Sequence, residues 1–262
     1  MWRYNYPQDI IYNMKKYFCL FLIVFILCSC EHYILSNHYK VIAHRGYWKM
    51  ANGADNSIQS LQEAVRLGVD GVELDICKTK DDSLVVVHGM YHGDYYIPNT
   101  EYKDLQNIKL SNGEEISTFR EYMKEAKNYN IIFFLDLKNV DEESDLLQIL
   151  YQYGCQHKVK ICGTPQICEN ILRKDPRMSI VSTYNDVSVS ELKNKGYNCV
   201  DREIDEWKKN TAIIDEAKRQ GLEVAAWIVK SESDIIWCAV HDIDYLITDN
   251  PLETIHFRSN YE

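Results

Sequence analysis

Residues 57–76 read SIQSLQEAVRLGVDGVELDI, and this stretch contains the unit from which we predict the fold. Apolar residues recur at helical spacing over Ser57–Leu67, and Gly68 stands where the C-cap of a helix is expected. Gly71–Ile76 then has the pattern of a buried strand. A helix that leads directly into a strand indicates one repeat of a parallel sheet with helical crossovers.

The same alternation continues along the chain. We predict strands at Val41–Ala43, Gly71–Ile76, Leu84–Val87, Ile131–Leu137, Val159–Cys162, Met178–Ser182, Asn198–Asp201, Glu223–Val229 and Asp244–Ile247. We predict helices at Ser57–Leu67, Thr118–Asn128, Glu142–Tyr153, Gln166–Arg173, Val187–Lys195, Ala212–Gln220 and Ser231–Val240. This order predicts an α/β protein with one domain, a TIM-type (β/α)8 barrel over residues 41–262.

The region around the third predicted strand departs from this regular pattern. Eight strands close such a barrel, so one of the predicted strands lies outside it or is not a strand. The link from Ile76 to Leu84 is too short for a helical crossover, and the topology is least determined there. Residues 89–112 are polar, rich in Tyr and weakly periodic, and we interpret them as a small inserted loop over the barrel mouth after the third strand.

Composition and charge exclude one class of partner. The chain has 262 residues, of which 46% are hydrophobic, enough for a sizeable core. The formal net charge of -10 provides no general attraction to nucleic acid or to anionic lipid head groups. We therefore expect no nucleic-acid partner, and phosphate binding would require a metal ion or a few cations inside a cleft.

The first thirty residues have the pattern of an export signal. Basic Lys15 and Lys16 precede the apolar run Tyr17–Leu27, whose length suits the core of a signal peptide better than a membrane span. The following residues, 27–30, read LCSC and resemble the cleavage site of bacterial lipoproteins, which makes Cys30 the lipidated N-terminus. We expect a signal at 1–30, a tether at 31–40 and export to a bacterial membrane, with an uncleaved anchor as the alternative.

The remaining cysteines show no metal-binding or redox spacing. They are Cys77, Cys155, Cys162, Cys168, Cys199 and Cys238, and no two of them form a C-x-x-C pair. Most lie in apolar runs, so we expect buried free thiols. A single disulfide stays possible in an oxidising compartment.

Polar residues collect at the C-terminal ends of the predicted strands. These residues are His44, Arg45, Glu73, Asp75, His88, Asp136, Lys138 and Trp227. In a parallel barrel those ends share one face, and that face carries the active site. Glu73 and Asp75 stand two positions apart on a strand and point the same way. We therefore expect these side chains to converge at the barrel mouth.

The residue types indicate phosphate chemistry. Glu73, Asp75 and Asp136 would repel one another unless protonated or bridged by a cation, and their oxygen ligands suit Mg²⁺ or Ca²⁺ better than Zn²⁺. The histidines, whose pKa lies near neutrality, suit general acid and base catalysis. Arg45 and Lys138 can hold an anionic phosphate. A simple ion pair between Asp136 and Lys138 is an equal alternative to a direct role.

Several short motifs resemble one enzyme family. In chain order they are HRG at 44–46, DNS at 55–57, ELD at 73–75, TKDD at 79–82, VVVH at 85–88, DLK at 136–138, AWIV at 226–229 and TDNP at 248–251. Together they resemble the signature of the glycerophosphodiester phosphodiesterase family, and the resemblance covers about residues 41 to 252. No single motif is specific, but their order and spacing are.

The resemblance assigns roles to the residues at the strand ends. His44 and His88 match the acid/base pair of the family, Arg45 and Lys138 match phosphate contacts, and Trp227 matches a residue lining the substrate site. The metal ligands would be Glu73, Asp75 and Asp136, and Asn56 would support the first loop. The chain departs from the family at Asp136 and Asp55, where the family has glutamate, and at Gly89, where it has aspartate.

The resemblance implies metal-dependent hydrolysis of a glycerophosphodiester to glycerol phosphate and an alcohol. The nucleophile is either water or the glycerol 2-hydroxyl through a cyclic phosphate, and either histidine can be the base. Two other functions stay open. Aromatic residues in the inserted loop suit a phospholipase-type phosphodiesterase acting on intact lipid, and the changes at Gly89 and Asp136 suit a lipid-anchored binding protein without catalysis.

Overall fold

The computed structural model describes residues 38–50 and 53–260, so the predicted signal, Cys30 and most of the tether lie outside the described residues. The strands are β1 Lys40–His44, β2 Gly71–Lys78, β3 Leu84–Val86, β4 Tyr91–His92, β5 Tyr95–Tyr96, β6 Ile132–Leu137, β7 Val159–Cys162, β8 Ser179–Ser182, β9 Cys199–Glu203, β10 Glu223–Val229 and β11 Tyr245–Thr248. The helices are α1 Ile58–Leu67, α2 Tyr102–Leu105, α3 Phe119–Ala126, α4 Ser144–Tyr153, α5 Pro165–Lys174, α6 Val189–Asn194, α7 Ile204–Lys209, α8 Ala212–Arg219, α9 Glu232–Val240 and α10 Pro251–Ser259, with a 3-10 turn at Ile97–Asn99.

Eight parallel strands close into a barrel, as the sequence predicts. Their order around the barrel is β1, β2, β6, β7, β8, β9, β10 and β11, and β11 pairs back onto β1. At the point of closure Ala43 of β1 is in register with Val72 on one side and with Thr248 on the other. The chain therefore begins and ends the barrel at the same seam.

The surplus strand of the sequence prediction is β3. It pairs antiparallel with the end of β2, where Cys77 is in register with Val85, and takes no part in the closed ring. An antiparallel neighbour needs only a short turn, which accounts for the short link after β2. The predicted third strand thus exists but lies outside the barrel.

The predicted inserted loop contains regular structure. It holds the β4–β5 hairpin, the 3-10 turn and α2. Ile97, Leu105 and Ile116 are fully buried there and pack against Cys77 and the strand β3. The segment is therefore a small subdomain with its own apolar cluster. The hydrophobic periodicity of the sequence did not predict its elements, because they are only two to four residues long.

Side chains inside the barrel lie in layers, because successive strand residues alternate between the interior and the helices. An apolar cluster inside the barrel consists of Ile42, Phe134, Val181, Cys199, Ala225, Tyr245 and Ile247. Two positions further along the chain come the polar residues His44, Asp136, Thr183, Asp201, Trp227 and Asp249. The fold thus places a polar layer directly above an apolar floor.

The opposite end of the barrel is closed by an ion pair between Lys160 of β7 and Glu223 of β10. Tyr245 donates a hydrogen bond to Glu223 over 2.5 Å, and the Lys160 Nζ lies 5.0 Å from the centroid of the Tyr245 ring. A charged pair over an aromatic ring fills the bottom of the barrel. In essentially every characterised enzyme with such a barrel, the active site lies at the other end.

Helix ends follow the expected caps. Ser57 caps α1 at its N-terminus, and Gly68 ends it in the left-handed conformation, with φ of 85°. Thr118 and Glu121 form a reciprocal capping box at the start of α3. The six cysteines beyond residue 30 are free thiols, as predicted. Over the described residues, no helix is long and apolar enough to cross a membrane.

Candidate active site

The first loop of the site follows β1 and adopts a left-handed turn. Arg45 and Gly46 have φ of 58° and 79°. A Cβ at Gly46 would lie 2.4 Å from the Ser60 hydroxyl oxygen, so only glycine allows α1 to pack this closely. Asn56 donates its backbone N–H to the Arg45 carbonyl over 3.0 Å. The turn aims His44 and Arg45 into the barrel mouth.

His44 is held between two carboxylates. Its Nδ1 lies 2.6 Å from Asp249 Oδ1, and its Nε2 lies 3.8 Å from Glu73 Oε2. Asp249 follows β11, and its other oxygen lies 3.1 Å from Lys49 Nζ. Burial acts to raise the pKa of Asp249, but the hydrogen bonds and charges of His44 and Lys49 together outweigh it and lower that pKa to about 2. Asp249 thus orients the imidazole of His44, and the second ring nitrogen, Nε2, faces the site.

Three carboxylates converge at the ends of β2 and β6. One oxygen from each of Glu73, Asp75 and Asp136 lies within 4.8 Å of the others. Glu73 and Asp75 are buried, and burial followed by repulsion from the other two carboxylates raises the pKa of Glu73 well above its usual value. Crowded acids with only oxygen ligands suit a hard divalent cation. The donor set therefore fits the Mg²⁺ or Ca²⁺ expected from the sequence.

Lys138 joins two of these carboxylates. Its Nζ lies 2.8 Å from Asp75 Oδ1 and 2.5 Å from Asp136 Oδ2. Burial acts to lower the pKa of Lys138, but the two carboxylates outweigh it and raise that pKa. The ion pair that the sequence left as an alternative for Asp136 is thus present, within reach of the other acids.

A second cation and an amide flank Asp75. Asn56 donates its side-chain N–H to Asp75 Oδ2 over 2.8 Å, and the Asp75 backbone N–H donates to Asn56 Oδ1 over 3.1 Å. Arg45 Nε lies 3.2 Å from Asp75 Oδ2, close enough for an ion pair. Asn56 therefore supports both the first loop and a carboxylate, and the guanidinium of Arg45 lies beside the acidic group.

His88 differs from His44 in its surroundings. It follows β3 and its side chain is exposed at the mouth of the cavity. Partial burial lowers the pKa of His88, with Arg45 adding to the effect and Asp75 opposing it. At the next position Gly89 has φ of 79°, and its carbonyl accepts a hydrogen bond from the thiol of Cys77 over 3.1 Å. Gly89 therefore stabilises the turn rather than orienting the histidine.

The predicted residues surround one cavity of about 330 Å³. Its walls include all eight polar and aromatic positions proposed from the strand ends, namely His44, Arg45, Glu73, Asp75, His88, Asp136, Lys138 and Trp227. Trp227 forms part of the rim and is 38% exposed. The three carboxylates thus share one cavity with two histidines, Arg45 and Lys138.

Three further polar side chains line the cavity and were not predicted. They are Cys162 at the end of β7, Thr183 directly after β8 and Asp201 in the middle of β9. Burial, followed by the charge of Asp136, raises the pKa of Asp201 to about 8, against the opposing effect of Arg202. Asp201 stands at the end of a predicted strand, the same signal that identified the other site residues.

Comparison with known sequences identifies one family. The model of the glycerophosphoryl diester phosphodiesterase family matches residues 44–253, a range that contains every predicted site residue of the barrel. A glycerophosphodiester phosphodiesterase from Caldanaerobacter subterraneus subsp. tengcongensis is 24% identical over 235 residues, which cover 80% of this chain and 94% of that protein. The shared region is the barrel rather than a short motif.

Solved structures agree with this result. A crystal structure of a glycerophosphodiester phosphodiesterase from Parabacteroides distasonis has a TM-score of 0.81 and 28% identity, covering 86% of this chain and 98% of that one. A phosphodiesterase from Oleispira antarctica, solved with the product sn-glycerol-3-phosphate, has a TM-score of 0.76 and 18% identity, covering 84% and 96%. At that lower identity the likeness concerns the fold alone.

Proposed function

Because the chain belongs to the glycerophosphoryl diester phosphodiesterase family, we propose that it hydrolyses glycerophosphodiesters to glycerol phosphate and an alcohol by metal-dependent acid/base catalysis. The chain is an enzyme of this family, a phosphodiesterase. One observation carries the proposed mechanism: both histidines, both cations and the three carboxylates line a single cavity at the C-terminal ends of the barrel strands.

Glu73, Asp75 and Asp136 would hold the metal ion, Mg²⁺ or Ca²⁺. Burial, followed by repulsion from Asp75 and Asp136, raises the pKa of Glu73, and a cation would relieve that repulsion. When bound, such an ion supplies a Lewis acid for phosphate oxygens. Asn56 keeps Asp75 in place through two hydrogen bonds, of 2.8 and 3.1 Å.

Arg45 and Lys138 would bind the phosphate. Both side chains line the cavity and both lie against Asp75, at 3.2 and 2.8 Å. A guanidinium and an ammonium on one wall offer several N–H donors to the non-bridging phosphate oxygens. We infer that phosphate binding loosens the contact between Lys138 and Asp136 and turns that ammonium toward the substrate.

His44 and His88 would move the protons. One accepts a proton from the attacking hydroxyl, and the other donates a proton to the oxygen of the leaving alcohol. Asp249 orients His44 over a distance of 2.6 Å and fixes which ring nitrogen faces the site. The exposed position of His88 allows contact with an alcohol that leaves through the mouth.

The proposal is tested by assaying the purified protein on glycerophosphocholine, glycerophosphoethanolamine and glycerophosphoglycerol. We expect release of glycerol phosphate that EDTA abolishes and that Mg²⁺ or Ca²⁺ restores. Glu73→Gln keeps the shape of the side chain and should lose activity, whereas the exposed Glu253→Gln serves as the matched control. Turnover that persists without metal would overturn the mechanism, and no turnover on any of the three substrates would overturn the function.

A second substrate class is motivated by exposed aromatic residues next to His88. Tyr91 is 63% exposed on the hairpin that follows, and Tyr95 and Tyr96 are also exposed. Other apolar residues of this segment are used internally, since Ile97 is buried and Tyr102 donates to the Ile116 carbonyl over 3.0 Å. Exposed tyrosines suit a membrane interface, so phospholipid vesicles should be assayed beside soluble substrates. Faster turnover on vesicles would favour intact lipid.

We also propose that the enzyme is exported and anchored to a bacterial membrane through a lipid on Cys30. The support is the basic and apolar pattern of residues 14–27 and the LCSC sequence that follows. A lipid anchor would hold the cavity near the membrane without a membrane-spanning helix. Incorporation of labelled palmitate into the wild type but not into Cys30→Ala is the expected result, and labelling of both would contradict it.

A further inference from the structure

One wall of the cavity has no role in the proposed chemistry. Moving around the barrel, β1, β2 and β6 supply the histidine and the carboxylates, whereas β7, β8 and β9 supply Cys162, Thr183 and Asp201. Val181 is in register with Cys199, so Thr183 and Asp201 stand side by side two positions further on. The wall is polar, and its side chains reach into the same layer as the metal ligands.

Asp201 is the unusual member of this wall. It is 7% exposed, and its Oδ1 has no hydrogen-bond partner among the residues that the structure describes. An unsatisfied buried polar oxygen destabilises the folded state, and native proteins pair nearly all such atoms. An unpaired oxygen in a cavity wall indicates a partner that comes with the substrate.

The surroundings of Asp201 define the kind of partner. Arg202, the next residue, does not line the cavity, and its guanidinium donates to the carbonyls of Ser182 and Tyr184. Thr183 contributes a hydroxyl, which accepts from the thiol of Cys162 over 3.6 Å. A wall with acceptors and hydroxyls but no free cation does not suit a phosphate oxygen. It suits the hydroxyl group of an alcohol.

We propose that Asp201, with Thr183 beside it, binds a hydroxyl group of the glycerol part of the substrate and thereby selects phosphodiesters of polyols. This inference rests on the proposed function, since it places the glycerol between this wall and the phosphate at Arg45 and Lys138. Asp201 touches the substrate away from the bonds that form and break, so it determines specificity rather than chemistry. The substrate class is a phosphodiester in which one alcohol carries a free hydroxyl group. That hydroxyl is on the carbon next to the esterified carbon or on the carbon after it.

The test compares glycerophosphocholine with two analogues that each lack one hydroxyl, 2-hydroxypropyl phosphocholine and 3-hydroxypropyl phosphocholine. One neutral hydrogen bond corresponds to roughly tenfold in affinity. We expect the wild type to prefer glycerophosphocholine to at least one analogue by about that factor in kcat/KM. Asp201→Ala should erase the preference, mainly by raising KM for glycerophosphocholine, while kcat on the analogue changes little.

Two variants separate binding from structural damage. Asp201→Asn has nearly the same shape and can bond a hydroxyl, so it should keep the preference. Cys199→Ala lies two positions earlier on β9, in the apolar layer below the cavity, and should also keep it. A ratio between two substrates is insensitive to a loss of folded protein, because both rates fall together. If Asp201→Ala discriminates as well as the wild type, the proposed contact is wrong.

The remaining outcomes are also decisive. If Asp201→Ala loses activity on glycerophosphocholine but not on glycerophosphoglycerol, the carboxyl binds the ammonium group and the hydroxyl site is overturned. Calorimetry with glycerol 3-phosphate, with 2-hydroxypropyl phosphate and with 3-hydroxypropyl phosphate tests the same contact without turnover, and the tighter binding is expected relative to at least one of the two analogues. A wild type that binds glycerol 3-phosphate about tenfold more tightly, but hydrolyses no glycerophosphodiester, would retain this inference and overturn the proposed function.

Discussion

At the residue scale, the contact between His44 and Asp249 determines how one of the two proposed catalytic rings is held. Asp249→Asn keeps the size of the side chain but removes the charge that orients the imidazole of His44. We expect kcat to fall by ~10²-fold, the scale of lost acid/base help, with unchanged affinity for the divalent cation. Steady-state kinetics with a metal titration measure both.

The control for this prediction is Lys49→Ala. Lys49 contacts the other oxygen of Asp249 at 3.1 Å from an exposed position. Its loss should leave kcat within about threefold, because exposed ion pairs contribute little. Equal losses in Lys49→Ala and Asp249→Asn would show that the local charge, not the orientation of His44, matters.

The two histidines can be assigned by leaving-group chemistry. p-Nitrophenolate needs no proton to leave, whereas an alkoxide does. Replacing the general acid by alanine should therefore lower kcat by ~10²-fold on glycerophosphocholine and far less on bis(p-nitrophenyl) phosphate. Replacing the general base should lower both alike. If His44→Ala and His88→Ala show the same pattern on both substrates, the division of roles is wrong.

Asp201 should make the stability of the protein depend on pH. Its pKa is about 8 in the folded chain, compared with 3.8 for the free side chain. The folded state therefore binds a proton that the unfolded state has released, and stability falls as pH rises from about 4 to 8. Asp201→Asn removes this loss and should raise Tm relative to wild type at pH 8 more than at pH 5. Parallel Tm profiles would contradict the buried carboxyl.

The position of a side chain in the cavity wall could be predicted where a motif and a strand end coincided. The eight barrel positions proposed as site residues all line the cavity, because the C-terminal ends of parallel strands share one face. The sequence indicated Asp249 only as part of the TDNP motif. It did not indicate that the last strand pairs with the first and brings Asp249 into contact with His44. Asp201 carried the same strand-end signal but belongs to no motif.

At the element scale, the capping box of α3 should contribute to stability. The Thr118 hydroxyl accepts from the Glu121 backbone N–H, and the Glu121 carboxylate accepts from the Thr118 N–H over 2.8 Å. Thr118→Ala removes one half of this pair and should lower the free energy of unfolding by about 1 kcal/mol. Thr118→Ser keeps the hydroxyl and should stay near wild type in chemical denaturation. Equal losses in both variants would mean that the methyl group matters instead.

Helices and strands were predicted best where the element was long enough for its hydrophobic periodicity to be detected. The helix Pro251–Ser259 was not predicted, although Pro251 at its first position is a common start signal. Its apolar residues form no clear stripe, so periodicity gave no indication. Conversely, the strand Leu84–Val86 was found but its antiparallel pairing was not, because pairing depends on the partner rather than on the segment.

For the whole molecule, a divalent cation should act as a stabilising ligand. It would bind the folded state, where Glu73, Asp75 and Asp136 converge, and not the unfolded chain, where they separate. A cation at a hundredfold excess over Kd contributes about 2.7 kcal/mol. We expect Mg²⁺ or Ca²⁺ to raise Tm, and EDTA to reverse the effect.

The side chain at position 136 tests the same site. Asp136→Glu extends the carboxylate by one methylene, and Mg²⁺ tolerates misfit less well than Ca²⁺. The Mg²⁺ and Ca²⁺ dependence of Tm should therefore differ between wild type, Asp136→Glu and Asp136→Asn. Identical metal curves in the three proteins would leave Glu73 and Asp75 as the remaining ligands.

The closure of the barrel at β1 and β11 has a consequence for how the enzyme is made. In the barrel β1 pairs with β11, which is synthesised about two hundred residues later. Asp249 leaves the ribosome after every other residue of the site. Contacts this distant in sequence form late and slowly. A growing chain therefore cannot bring together the two sides of the cavity until β11 has been synthesised, so the nascent polypeptide stays inactive until that point.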